Sequence, residues 1–167
     1  MHKEKKIMDF RLRPFKLTHN QFNSPCFHIY FFIFLIFIGC SPVQNNETFK
    51  NLSTEDQHKY QKYIIQGRDL YKANCASCHQ ANGKGVKKLI PPLAGSDYLK
   101  SNQEKSVKLI KNGATEPITV NGIVYTPMMP AHPNLSNLEI AEIMTYINNS
   151  WGNEFGFVDG KKVSDIK

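Results

Sequence analysis

Cys75, Ala76, Ser77, Cys78 and His79 place two thiols three positions apart and an imidazole directly after the second. Thiols so spaced at a helix end reach both vinyl groups of one porphyrin and form thioethers, and the following histidine then turns beneath the ring as proximal iron ligand. The run therefore predicts covalent attachment of one haem c. Two other chemistries use a Cys-x-x-Cys pair. A redox dithiol calls for a βαβ setting, and a closed structural zinc site needs a second pair of ligands. The sequence supplies neither.

A low-spin iron needs a second axial ligand from across the ring, normally methionine or histidine. The candidates are Met128, Met129 and His132, with His58 and Met144 behind them. Met144 falls on the apolar stripe of a helix, where packing is the expected role. Met128 and Met129 stand between Pro127 and Pro130, which exclude regular helix and central strand and leave a stiff extended stretch suited to aiming a thioether. Residue types alone do not choose between these two. Filling both axial positions leaves no place for oxygen or peroxide, so the expected role is one-electron transfer, not catalysis. The rival is a haem enzyme or gas sensor with an open sixth position. A third reading is a dedicated haem subunit of a larger oxidoreductase.

The elements that must position these groups follow from periodicity and caps. Ser53 is an N-cap with Glu55 and Asp56 in the first turn, and Tyr60, Tyr63, Ile64, Gly67, Leu70 and Tyr71 form one apolar face of a helix running into Cys75. Residues 80–95 are rich in Gly and Pro and read as a loop. Ser101 with Glu104 has the capping-box pattern ahead of Val107, Leu109 and Ile110, and Asn112-Gly113 stops that helix. Asn121-Gly122 between two β-branched stretches predicts a hairpin over 118–125. Ser136 with Glu139 opens a last helix bearing Leu138, Ile140, Ile143, Met144 and Ile147 and ending near Asn149. Trp151 is expected to cap the core, and Tyr60 and Tyr63 to pack. Residues 154–167 either pack back through Phe155, Phe157, Val158 and Val163 or fray.

The 167 residues allow one ordinary domain and a leader. Of the net charge of +7, +4 precedes Cys40, where six basic residues face two acidic ones; the remainder is too small and scattered for a nucleic-acid footprint. Phe27–Ile38 is apolar, but twelve residues of helix rise about 18 Å, short of the roughly 30 Å hydrocarbon core. A basic segment, a short apolar run and small residues predict an export signal over 1–39, with Met1 or Met8 as start. Phe37-Ile38-Gly39-Cys40 resembles a bacterial lipobox, with Phe37 in place of the usual Leu. Cys40 is then the lipidated first residue, and 40–52 a polar tether holding a 53–153 domain on the periplasmic side of a bacterial membrane. An uncleaved signal anchor is the alternative. With Cys26 in the leader, no cysteine is left for a structural disulfide.

From Gly67 to Asn153, roughly half of the chain, the sequence resembles a class I cytochrome c. The resemblance rests on Gly67 and Tyr71 ahead of the Cys-x-x-Cys-His motif, on Pro91-Pro92-Leu93-Ala94-Gly95, on Met129-Pro130 and on Tyr146. It implies a mainly α fold, three to four helices around one covalent haem, with a small hairpin before the axial methionine. It further implies that the Pro91 carbonyl accepts the His79 N–H, that Met129, directly before a proline, is the axial ligand, and that Tyr146 packs near a helix crossing at Gly67. Residues 91–99, the hairpin, Met129–Ala131 and Thr145–Asn153 are also similar to cytochrome domains fused to copper nitrite reductases and periplasmic dehydrogenases, although this chain has no enzyme domain. By analogy the expected partners are a quinol-oxidising complex and a terminal oxidase or denitrification reductase, met by a monomer. Lys84, Lys87 and Lys88 either steer an acidic partner or are simply the solvated face of a loop, the commoner case.

Overall fold

Ser53 accepts the Asp56 N–H and starts the longest helix among the described residues, α2, Thr54–Asn74; before it lies one turn, α1, Glu47–Lys50, capped by Asn46. The structure, a computed structural model, describes residues 46–166. The leader, Cys26 and Cys40 lie outside the described residues. Cys75 ends α2 and opens the single turn α3, Ala76–His79. After the 80–95 loop come α4, Asp97–Ser101, and α5, Gln103–Asn112. The hairpin pairs β1, Ile118–Val120, with β2, Ile123–Tyr125, in the register Ile118–Tyr125, Thr119–Val124, Val120–Ile123. Asn121 and Gly122 both have positive φ, 50° and 76°, the two-residue turn that the Asn-Gly pair predicts. The capping box of Ser136 and Glu139 forms, and α6, Asn137–Asn148, follows it. A final turn, α7, spans Gly160–Ser164.

The core is the crossing of α2 and α6. Tyr63 and Tyr71 from α2 join Ile140, Ile143, Met144 and Ile147 from α6, with Leu99, Val107 and Ile110 closing one side. Gly67 is what lets the two backbones meet: a Cβ there would stand 2.0 Å from Glu142 O and 2.9 Å from Tyr146 Cβ. Tyr71, Tyr146 and Trp151 pack ring to ring at 5.2–5.6 Å, and Trp151 donates its indole N–H to Ala81 O. Trp151 thus covers the core edge, as expected. Among the described residues no helix is long and apolar enough to cross a membrane.

Three local expectations are corrected. Ser101 does not cap a helix; it is the last residue of α4, whose own cap is Ser96, and Asn102 breaks the chain before α5. Residues 46–52 are not free tether: Phe49 packs on Tyr60, and Gln57 donates to Phe49 O and Leu52 O. Leu138, counted on the apolar face of α6, is half exposed. One helical turn is too short to show periodicity, so the packing of Phe49 is visible only once Tyr60 is in place.

Of the 154–167 segment, the described residues 154–166 pack back. Val158 and Val163 are buried, and Phe157 lies against Tyr60 and Tyr63. Thr145 Oγ1 both donates to Val158 O and accepts from Val158 N, Lys111 donates to Val163 O and Ile166 O, and Lys59 pairs with Asp159. Both the described part of the tail and the 46–52 turn thus pack on residues of the 53–153 stretch.

Candidate haem site

Cys75, Cys78 and His79 sit where α2 gives way to α3, at the wall of a two-lobed cavity. The inner lobe is apolar and reaches Leu99, Ile143, Met144 and Ile147; the outer lobe adds Cys78, Leu89, Tyr125 and Met128. Cys75, His79, Pro91, Leu109, Ile118 and Met129 line both lobes. They come from five different segments of the chain, and the hairpin supplies one wall.

His79 Nδ1 lies 3.1 Å from Pro91 O. A carbonyl only accepts, so the proton is on Nδ1 and the Nε2 lone pair is free for a metal. Burial pushes the imidazole below its ordinary pKa, partly offset by that hydrogen bond, which keeps the ring neutral as a ligand must be. The Pro91 loop is itself clasped by Asn153: its side chain accepts from Gly95 N (2.8 Å) and donates to Leu93 O (2.9 Å) and Ile147 O (2.8 Å) while 2 % exposed. Sequence reading missed Asn153. Its only signal is its place at the end of the 145–153 stretch that carries part of the resemblance.

Burial, with Cys78 nearby, pushes the Cys75 thiol up to about 11, opposite to the lowered value a reactive dithiol needs. Among the described residues, no three His, Cys, Asp or Glu side chains converge.

The methionines are separated by tertiary structure. Met128 is 63 % exposed and touches only the outer lobe, whereas Met129 is half-buried, packs on the core and lines both lobes. Met144 is fully buried in the core and borders the inner lobe. His132 stands at the outer lobe, and His58 is exposed on α2 and lines neither.

These walls fit a covalently held porphyrin: paired thiols, a fixed neutral imidazole, a thioether and an otherwise mostly apolar cleft. The cytochrome c family profile matches residues 64–151, which covers the Cys-x-x-Cys-His motif, the Pro91 loop and Met129. The chain belongs to the cytochrome c family. It is a monohaem class I cytochrome, binds haem c covalently and transfers electrons. Cytochrome c-552 of Thermus thermophilus is 34% identical over 105 residues, 60% of this chain and 75% of that one. The cytochrome c subunit of a quinone alcohol dehydrogenase from Gluconacetobacter polyoxogenes is 31% identical over 115 residues, 68% of this chain and 24% of that one. The cytochrome c subunit of gluconate 2-dehydrogenase from Pantoea cypripedii is 28% identical over 90 residues, 52% and 20%. The cytochrome thus spans about a quarter or less of those dehydrogenase subunits.

One residue of the motif region is strained. Gln80, directly after His79, has φ 65° and ψ 156°, a region that is essentially glycine-only and costs about 1–3 kcal/mol for other residues. It is held by the Tyr71 hydroxyl, which donates to Gln80 O at 2.6 Å, and by Gly83 N–H on the same oxygen. The reversal carries the chain off α3 toward the Pro91 loop. Gln80→Gly removes the strain and keeps both backbone bonds, so we expect it to raise the unfolding free energy of the cytochrome by about 1 kcal/mol. Chemical denaturation of both proteins checks this, and a lower midpoint for the variant would contradict it.

Proposed function

We propose that the cytochrome is an exported, lipid-anchored electron carrier in which Cys75 and Cys78 hold haem c as thioethers and His79 and Met129 are its axial ligands. The single observation behind this reading is that His79, tied by Nδ1 to Pro91 O, and Met129 are both common to the two lobes of one cavity. When bound, haem c supplies a one-electron couple between ferric and ferrous iron. The protein's part is to hold both ligands through the change of charge. The Pro91 carbonyl keeps the imidazole orientation, Asn153 keeps the Pro91 loop, and the apolar inner lobe excludes water. A site that does not rearrange exchanges electrons with little reorganisation, and it leaves no position for a substrate.

Lys84, Lys87 and Lys88 are exposed on the loop that also carries Leu89 to the outer lobe. They suit an acidic partner surface, and electrostatic steering then speeds encounter. The proposed donors and acceptors are a quinol-oxidising complex on one side and a terminal oxidase or denitrification reductase on the other. The similarity to dehydrogenase cytochrome subunits favours a second reading, a haem subunit serving one quinone-dependent enzyme. Co-purification with a single dehydrogenase would support that alternative, and a freely diffusing pool would exclude it.

The test is spectroscopic. The ferric protein, matured with its haem, should show a near-infrared methionine–iron charge-transfer band, and the ferrous protein should not bind CO. A high-spin, CO-avid haem would replace the carrier by an enzyme or sensor with an open iron position. For the anchor, the intact mass of the mature protein should correspond to a chain starting at a triacylated Cys40; a mass that includes Phe37 would remove the lipoprotein. Two or more acyl chains at Cys40, at about 0.8 kcal/mol per buried methylene, suffice for stable membrane attachment.

A further inference from the structure

The segment that bears Met129 is seated on the end of α5. Ala114 N–H donates to Met129 O at 2.9 Å, and His132 N–H donates to Ile110 O at 3.0 Å. Between these two bonds stands Gly113, the residue that ends α5, with φ 78° and ψ 174°. A Cβ on Gly113 would lie 2.9 Å from Ala131 N, 2.9 Å from Met129 O and 3.2 Å from Pro130 C. All three are backbone atoms of the methionine segment, so no side-chain rotation relieves the contact. The segment itself is stiffened by Pro127 and Pro130 and yields only by moving as a piece.

Two of the six other glycines with positive φ are also crowded, Gly85 by Ile90 O and Pro91 O and Gly83 by the Trp151 ring; the remaining four differ in this respect. Gly95, Gly122, Gly152 and Gly156 would meet nothing within 4 Å if given a Cβ. Their requirement is conformational alone. At Gly113 the missing side chain is also what lets the Met129–Ala131 backbone approach α5 closely.

We propose that Gly113 is a positioning residue for the axial methionine: its bare α-carbon sets how deeply the Met129–Ala131 segment seats against α5, and so how strongly the Met129 thioether holds its ligand position. The proposal rests on the reading of Met129 as axial ligand. Adding a methyl group at 113 pushes the segment outward by a few tenths of an ångström, stretches the Ala114–Met129 hydrogen bond, and favours the state with the methionine detached. An external ligand that binds only that state then gains apparent affinity in proportion to its population.

Imidazole measures this directly, since its nitrogen replaces the thioether sulfur with no electron moved. The ferric, haem-loaded wild type, Gly113→Ala, Gly156→Ala and Met129→Ala are titrated with imidazole by absorbance, with the charge-transfer band recorded alongside. We expect the apparent Kd of Gly113→Ala to fall about tenfold, equivalent to roughly 1.4 kcal/mol, with a weakened band. Gly156→Ala, which has positive-φ strain without the backbone contact, should stay within about twofold of wild type. Equal shifts in both glycine variants would overturn the proposal, as would an unchanged Kd in Gly113→Ala. Should Gly113→Ala not accumulate with haem, Ala114→Pro, which deletes the N–H that holds Met129 O, is read by the same criteria. Met129→Ala separates the two levels: if it binds imidazole no better than wild type, the ligand assignment fails; if it gains affinity while Gly113→Ala does not, only the positioning role fails.

Discussion

Met129→Ala is expected to abolish the near-infrared charge-transfer band of the ferric cytochrome, to let the ferrous protein bind CO, and to lower the reduction potential. Methionine opposite histidine raises the potential, and axial ligation as a whole spans about 0.8 V, so loss of the thioether should dominate any effect of surface charge. The stability cost is smaller. Met129 is half-buried, and truncating it forfeits about half of the 2–5 kcal/mol typical of a fully buried methionine. Met128→Ala is the matched control: its side chain is 63 % exposed and touches only the outer lobe, so spectrum and potential should hold. Loss of the band in Met128→Ala alone would reverse the assignment.

Gly67→Ala should be strongly destabilising for a single added methyl group. Helix propensity alone predicts a gain of about 1 kcal/mol, because alanine is the better helix former. The structure predicts the opposite sign. The added Cβ would stand 2.0 Å from Glu142 O and 2.5 Å from Glu142 C, both backbone atoms of α6, so the two helices must separate. That opens the interface on which Tyr63, Tyr71, Ile143 and Ile147 are buried. Overpacking costs of about 1–3 kcal/mol apply where side chains can adjust; here backbone must move, and about 4 kcal/mol is expected. Against a total of roughly 5–15 kcal/mol this is a large fraction. Guanidinium unfolding of the haem-loaded protein measures it, and a midpoint equal to or above that of wild type would show that the crossing tolerates a side chain.

Features decided by neighbours in the chain were legible without coordinates. The spacing of Cys75, Cys78 and His79 points to its own chemistry, because two thiols three positions apart can each add to a vinyl group of one porphyrin and the following imidazole can meet the iron. Ser53 and Ser136 cap helices because a hydroxyl three residues before an amide satisfies it locally. Asn121-Gly122 makes a hairpin because both residues accept positive φ. Where two local signals competed, reading failed: Ser101 and Glu104 form the capping-box pattern, yet Ser96 starts a turn earlier and uses Ser101 as its end.

The tertiary structure decided what depends on residues distant in the chain. Met128 and Met129 share composition and flanking prolines, and only the seating of their segment on α5 turns one toward the core and the other toward solvent. Asn153 reaches back about sixty positions to clasp the Pro91 loop, and Thr145 fastens a tail that by itself shows no regular pattern. Gly113 looks like an ordinary helix stop until the methionine segment is laid against it. Bond-forming chemistry, caps and turns are short-range and are written in adjacent residues. The burial of one methionine and the exposure of its neighbour arise from packing between elements, which no stretch of adjacent residues encodes.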